Sequence, residues 1–239
     1  MIRLDKFLAD ASLGTRKHVK KYVRSGKVTV GGVVIDDGAH LFDPEKEEVA
    51  VDGKIIEYTS EIYLLMNKPS GYMCSTIDEM YPSVLNLIDP IYRKKTRIVG
   101  RLDADTTGVL LLTSNGKLNN RLIHPNSKIQ KEYEASLDHG LKDEDLAKML
   151  SGPIQLDEDT SVTPIKIERI EPYIIDIIVT EGKYHEIKRI FKKYGYSVIG
   201  LKRVRLDFLT VEGLKEGEYR PLTTSEVSHL KKITSMEDK

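Results

Sequence analysis

Residues 99–116 read Val-Gly-Arg-Leu-Asp-Ala-Asp-Thr-Thr-Gly-Val-Leu-Leu-Leu-Thr-Ser-Asn-Gly. A turn of small and polar residues carries Arg101, Asp103 and Asp105. It runs directly into Val109-Leu110-Leu111-Leu112, an apolar run that predicts a buried strand. A carboxylate beside a buried strand is held by a rigid element and can be aimed at a reacting group. Arg101, two residues before Asp103, supplies a cation that favours the ionised form.

Spacing alone leaves other readings. Asp and Asn serve turns by bonding nearby backbone amides. Asp103, Asp105 and Gly108 also fall at the first, third and sixth positions of a calcium loop. The twelfth is Ser114 rather than a bidentate Glu, and the positions before it are strand-like, which argues against calcium.

The whole segment resembles the Gly-Arg-Leu-Asp signature of pseudouridine synthases, in the branch that modifies ribosomal RNA. That resemblance implies that Asp103 is the essential catalytic residue.

Charge is segregated on a chain whose 37 basic and 37 acidic residues balance. Residues 1–27 hold eight Lys or Arg against Asp5 and Asp10, residues 36–61 are strongly acidic, and residues 181–205 again carry eight bases against two acids. Such blocks suit basic faces turned to a polyanion, although solvated helix faces look similar. Cys74 is the single cysteine, so no internal disulfide forms and a reducing, cytoplasmic setting is expected. No apolar run approaches the ~20 residues of a membrane span, and the N-terminus lacks a signal-peptide core. The six histidines are scattered without ligand spacing, and no metal is expected.

Near the start, Leu4, Phe7 and Leu8 keep helical spacing. Thr15 then predicts the N-cap of a second helix ending near Gly26. On it Arg16, Lys20 and Arg24 form one row, with Lys17 and Lys21 alongside, so five cations share a side. Gly31-Gly32 between Val-rich runs predicts a hairpin, and Asp52-Gly53 a second. Residues 1–58 are similar to the S4 RNA-binding domain, including the opening Arg3-Leu4-Asp5-Lys6-Phe7-Leu8. That likeness implies salt-sensitive phosphate contact through Arg3 and the basic helix.

From residue 59 a larger domain is expected. Ile62–Met66 predicts a strand, broken by Asn67-Lys68-Pro69-Ser70-Gly71. This loop looks like the family's first motif and makes Lys68 a candidate phosphate contact. Lys131-Glu132-Tyr133-Glu134-Ala135 alternates as a strand. Read alone, Tyr133 faces a core; the Lys-x-Tyr pattern resembles the motif whose Tyr stacks on an extruded base. Ile187, Ile190, Phe191 and Tyr194 form an amphipathic helical stripe stopped by Gly195. In the family pattern Gly-Arg/Lys-x-His-Gln-x-Lys/Arg the last basic residue, here Lys188, pairs with the catalytic Asp; Glu186 stands where the Gln is usual. Arg101, Arg189 and Arg203 are further candidates for RNA contact, Arg203 on a strand lining the cleft.

The resemblance implies an α+β chain: an S4 domain at 1–58 and a catalytic domain at 59–239 with a central antiparallel sheet and flanking helices. The expected activity is isomerisation of a uridine to pseudouridine in ribosomal RNA by Asp103, Tyr133 and Lys188. No cofactor is required. Small-subunit RNA is favoured by Met73–Thr76 and Gly217–Leu222, with large-subunit RNA as the alternative. The expected partner is ribosomal RNA, free or within an assembling small subunit, and the expected state is a monomer. An inactive RNA-binding assembly factor and a metal-dependent hydrolase are the rivals.

Overall fold

The computed structural model describes residues 1–11, 13–44, 46–56 and 61–234. The chain divides into two compact units, Met1–Glu61 and Ile62–Lys239. The domain boundary expected after residue 58 lies outside the described residues.

The N-terminal unit contains β1 (Ile2–Arg3), α1 (Leu4–Asp10), α2 (Arg16–Arg24), β2 (Val28–Val30), β3 (Val33–Val34), β4 (Leu41–Phe42), β5 (Val49–Val51) and β6 (Lys54–Ile55). Thr15 caps α2 by accepting the His18 amide at 3.3 Å. Strands β2 and β3 pair Val30 with Val33, which leaves Gly31 and Gly32 as a two-residue turn, both at positive φ. Only a glycine or an Asx residue takes that conformation cheaply, and the Asp52-Gly53 turn between β5 and β6 repeats the solution. Leu4, Phe7 and Leu8 of α1 pack with Val19 and Val23 of α2 over the strands. The rings of Phe7 and Phe42 meet edge to face at 5.1 Å. The five cations of α2 stay exposed on its outer side.

The larger unit contains β7 (Tyr63–Lys68), α3 (Pro90–Arg93), β8 (Arg97–Val99), β9 (Thr107–Thr113), α4 (Gly116–Ile123), β10 (Lys131–Leu137), α5 (Asp143–Leu150), β11 (Ile154–Gln155), β12 (Ser161–Val162), β13 (Lys166–Glu171), β14 (Ile174–Val179), α6 (Glu186–Lys193), β15 (Val198–Leu206), β16 (Leu209–Thr210), β17 (Tyr219–Pro221) and α7 (Thr224–Ile233). Among the described residues, nine of these strands form one sheet with the path β13-β14-β10-β15-β9-β7-β17; β8 joins β9, and β16 joins β15. Alternate residues of β7 and β9 enter two different cores. Leu64, Met66, Leu110 and Leu112 pack with Ile190 and Phe191 of α6, whereas Tyr63, Leu65, Val109 and Leu111 pack with Leu118 and Leu122 of α4 and Leu230 of α7. Both faces of these central strands are covered, which is why the sequence there is apolar without alternation.

Two features depart from expectation. First, β7 continues through Asn67 and Lys68 instead of breaking before them. Second, the antiparallel sheet contains one parallel junction, where Lys202 and Arg203 of β15 pair with Thr107 and Gly108 of β9. At that junction a Cβ on Gly108 would lie 2.2 Å from the Arg203 carbonyl oxygen, and its φ is +102°. Glycine is required there on both counts. The close approach brings the start of β9, and the loop before it, against the middle of β15.

Candidate active site

The loop 100–106 between β8 and β9 carries Asp103, and the backbone around it is tied on several sides. The Leu102 amide donates to Sγ of buried Cys74 at 3.3 Å, the Gly71 amide to the Ala104 carbonyl at 2.9 Å, and the Thr106 amide to the Asp103 carbonyl at 3.1 Å. Lys68 reaches in from the end of β7. Its ammonium donates to the carbonyls of Pro69 (3.1 Å), Ala104 (3.2 Å) and Thr106 (2.8 Å). Burial pulls its pKa down, against the opposing charges of Cys74, Asp105 and Asp103.

This corrects the expectation that Lys68 meets RNA phosphate. The residue is 0% exposed and all three of its donors are spent on the loop.

The Asp103 side chain remains 31% exposed and is addressed at both oxygens. Its Oδ2 lies 3.1 Å from Nζ of Lys188, and its Oδ1 lies 3.4 Å from Nε2 of His185. Lys188 sits in the first turn of α6 and also donates to both oxygens of Asp105, at 2.8 and 2.9 Å. Burial pulls the Lys188 pKa down, but its hydrogen bonds to Asp105 and Asp103 more than offset this and leave it raised. For Asp105, burial pushes upward while the Lys188 hydrogen bond and charge hold the carboxyl below its usual range. One ammonium therefore serves two carboxylates.

Tyr133 on β10 borders the same small cavity as Asp103 and Lys188, with His185, Glu186 and Leu201 among the other lining residues. Burial raises its phenol, opposed by the charge of Arg203 beside it. The three residues expected to act together are thus placed around one opening of about 70 Å³. Glu186 accepts the Lys183 amide at 3.0 Å, and burial raises its pKa. Its carboxylate caps the turn entering α6, which accounts for a Glu at this position.

Other candidates fall differently. Arg101 is exposed at the rim of the cavity. Arg189 is ion-paired with Asp157. Arg203 is corrected as a surface contact: it is 1% exposed, with Nε bonded to the Val109 carbonyl at 2.7 Å. Its strand lies in the sheet interior between β9 and β10, and Nη2 of its guanidinium is buried.

Within the N-terminal unit, Arg3 makes a two-bond pair with Asp5, at 3.1 and 2.8 Å, and Lys20 lies 3.7 Å from the same carboxylate. The Arg3 pairing holds the buried Asp5 carboxyl below its usual range. Arg16, Lys17, Lys21 and Arg24 project from α2 into solvent.

Sequence reasoning missed His185 and the sharing of Lys188 by Asp105. The signal for His185 was available, since it stands three residues before Lys188 in the same motif. Its backbone adopts φ +49°, an uncommon value for His, and its ring stacks on exposed Tyr184 with centroids 3.8 Å apart.

With this geometry in place, a family model described as RNA pseudouridylate synthase matches residues 62–193, and an S4 domain model matches residues 2–49. The chain belongs to the RNA pseudouridylate synthase family. It is an isomerase carrying an S4 domain. The synthase is 38% identical over 230 residues to ribosomal small subunit pseudouridine synthase A of Yersinia pestis, covering 95% of this chain and 97% of that protein. It is 36% identical to the protein of the same name from Escherichia coli (strain K12), with coverage of 95% and 99%. A crystal structure of a pseudouridylate synthase superposes with a TM-score of 0.67 at 33% identity, covering 96% of this chain and 100% of that one. No helix among the described residues is long and apolar enough to cross a membrane.

Proposed function

We propose that this synthase converts a uridine of small-subunit ribosomal RNA to pseudouridine, with Asp103 as the catalytic carboxylate. The observation that carries the reading is the side chain of Asp103, solvent-accessible yet held at both oxygens beside Tyr133. Preference for the small subunit rests on the relatives so named, which match the chain almost end to end.

The reaction breaks the N1–C1′ glycosidic bond, turns the uracil, and joins C5 to C1′. The proton on C5 is lost and N1 gains one, so no redox equivalent or external group is consumed. In this reading the cations of α2 (Arg16, Lys17, Lys20, Lys21 and Arg24) and the exposed Arg101 contact the RNA backbone. The target uridine leaves its stack and lies against Tyr133, whose aromatic contact offsets part of the extrusion cost of a few kcal/mol. Lys188 holds Asp103 through their 3.1 Å ion pair, and Asp103 either attacks covalently or takes the 2′ proton of the sugar to start cleavage. Deuterium at C2′ separates these routes, because only proton removal slows with the heavier isotope.

The test is incubation of the full chain with unmodified ribosomal RNA of both subunits, followed by mapping of carbodiimide-induced reverse-transcription stops. A single new stop in the small-subunit RNA supports the reading. A stop only in the large-subunit RNA moves the substrate, and no stop in either RNA contradicts the proposed activity.

A further inference from the structure

Tyr184 and His185 stack nearly parallel beside the site, with ring centroids 3.8 Å apart and an interplanar angle of 22°. His185 is the residue whose Nε2 lies 3.4 Å from Oδ1 of Asp103. One face of the Tyr184 ring is thus spent on the imidazole, yet the residue stays 75% exposed. The remaining exposure belongs to the opposite face and the edges of the phenol. Tyr184 is not among the residues around the opening that Tyr133 shares with Asp103, so the two aromatics stand at different places.

The turn that carries this ring is bonded on both sides. The Lys183 amide donates to the Glu186 carboxylate at 3.0 Å, the Glu186 amide to the Lys183 carbonyl at 3.1 Å, and the Arg189 amide to the His185 carbonyl at 2.9 Å. The Lys183 ammonium reaches the Ser161 carbonyl at 2.7 Å and Glu181 at 2.8 Å. A tyrosine has only two side-chain torsions to fix, and here the His185 stack fixes the ring. Such a ring offers contact area at little entropic cost. A lone apolar residue on a surface needs no explanation, but this one is stacked on the group that addresses the reactive carboxylate.

We propose that Tyr184 is a stacking platform for a nucleotide flanking the target uridine, and that it accepts any base. When a uridine leaves its stack to reach Asp103, each neighbour loses a stacked face, which is part of the extrusion cost. An aromatic ring beside the emptied place supplies a new one. Chain connectivity keeps those neighbours one nucleotide from Asp103. The open face of Tyr184 is one ring beyond His185, which touches that carboxylate. A protein partner covering the same face would stand in the path of the RNA. Stacking uses the π-face common to all bases rather than their edges, so base identity should matter little. The inference rests on Asp103 being the catalytic carboxylate.

The test uses the full chain and a short RNA hairpin carrying the uridine identified by stop mapping. Single-turnover rates at subsaturating enzyme are compared for intact RNA and for RNA made abasic at each flanking position in turn. Wild type, Tyr184→Phe and Tyr184→Leu are measured, and a melting midpoint accompanies each variant. Wild type should lose about fivefold to a hundredfold at one abasic position, and stay within about threefold when that base is exchanged for any other. Tyr184→Phe keeps the ring and should keep this abasic penalty, whereas Tyr184→Leu should shrink it to less than about twofold. A penalty that persists undiminished in Tyr184→Leu means that the ring acts only by steadying His185, and it overturns the platform. Normal wild-type turnover with no penalty at either abasic position also overturns the platform, and leaves Asp103 untouched. A wild-type enzyme that makes no pseudouridine in any of these RNAs overturns both readings.

Discussion

Nε2 of His185 lies 3.4 Å from Oδ1 of Asp103, opposite the 3.1 Å contact of Lys188 with Oδ2. A carboxylate gripped on both sides has its orientation fixed before substrate arrives, which is the condition for efficient attack or proton removal. His185→Asn keeps a residue that tolerates the left-handed backbone but is too short to reach Asp103. We expect kcat to fall about tenfold, with KM nearly unchanged and the melting midpoint within the range of ordinary surface changes. A fall in KM-dependent binding alone would make His185 an RNA contact instead.

Lys188 divides its ammonium between two carboxylates of unequal position. Asp105 is mostly exposed, so its pairing is screened by solvent and contributes little. Lys188→Met should lower kcat by about a hundredfold or more, because it removes the ion pair that positions Asp103. Asp105→Asn should cost less than about tenfold, and single-turnover kinetics on the same RNA ranks the two. Equal losses from both changes would mean that the pair works as one unit.

Lys68 is part of the loop's scaffold rather than of an RNA surface. Lys68→Met keeps the length of the side chain but leaves three carbonyls without their donor. Destabilisation of about 2–4 kcal/mol is expected in urea unfolding, together with lost activity. A lysine that merely touched phosphate would show unchanged stability and a reduced salt dependence of RNA binding.

Thr223 and Glu226 form a reciprocal capping box at the start of α7, and Arg220 holds the same carboxylate at 2.7 and 2.8 Å. The Arg220 hydrogen bond, supported by those from Thr223, lowers the Glu226 carboxyl from 4.5 to about 2. A depressed carboxyl stabilises the fold above its unfolded value of 4.5, and that contribution is lost as pH falls through about 2. Glu226→Gln should therefore cost about 1–2 kcal/mol at neutral pH, a difference that shrinks as pH falls below 4.5 and vanishes only below about 2, read from denaturant midpoints. A pH-independent difference would assign the effect to packing.

Local patterning made much of this legible. The spacing of Leu4, Phe7 and Leu8, the Thr15 cap, the two glycine-containing turns and the α6 stripe all appear where short-range rules put them. What stayed hidden depends on contacts distant in sequence. Nothing in Asn-Lys-Pro shows that Lys68 will meet carbonyls more than thirty residues away, and a lysine is by default a surface residue. Arg203 alternates with charged neighbours on its strand, so its burial follows only from the neighbouring strands β9 and β10. The parallel junction at Gly108 is equally silent, since a Gly in such a run reads first as part of a turn. Asp103 was legible through its motif and His185 stands in the motif of Lys188, while the approach of His185 to Asp103 needed the folded chain.

The most direct measurement compares Asp103→Asn with wild type on the mapped RNA, following pseudouridine formation over long single-turnover incubations and RNA affinity in parallel. The amide matches the carboxylate in shape but carries no charge for attack or proton removal. No product at any time, with affinity within a few fold of wild type, is the predicted result. Measurable conversion by the purified variant would contradict the assignment of Asp103 and the mechanism built on it.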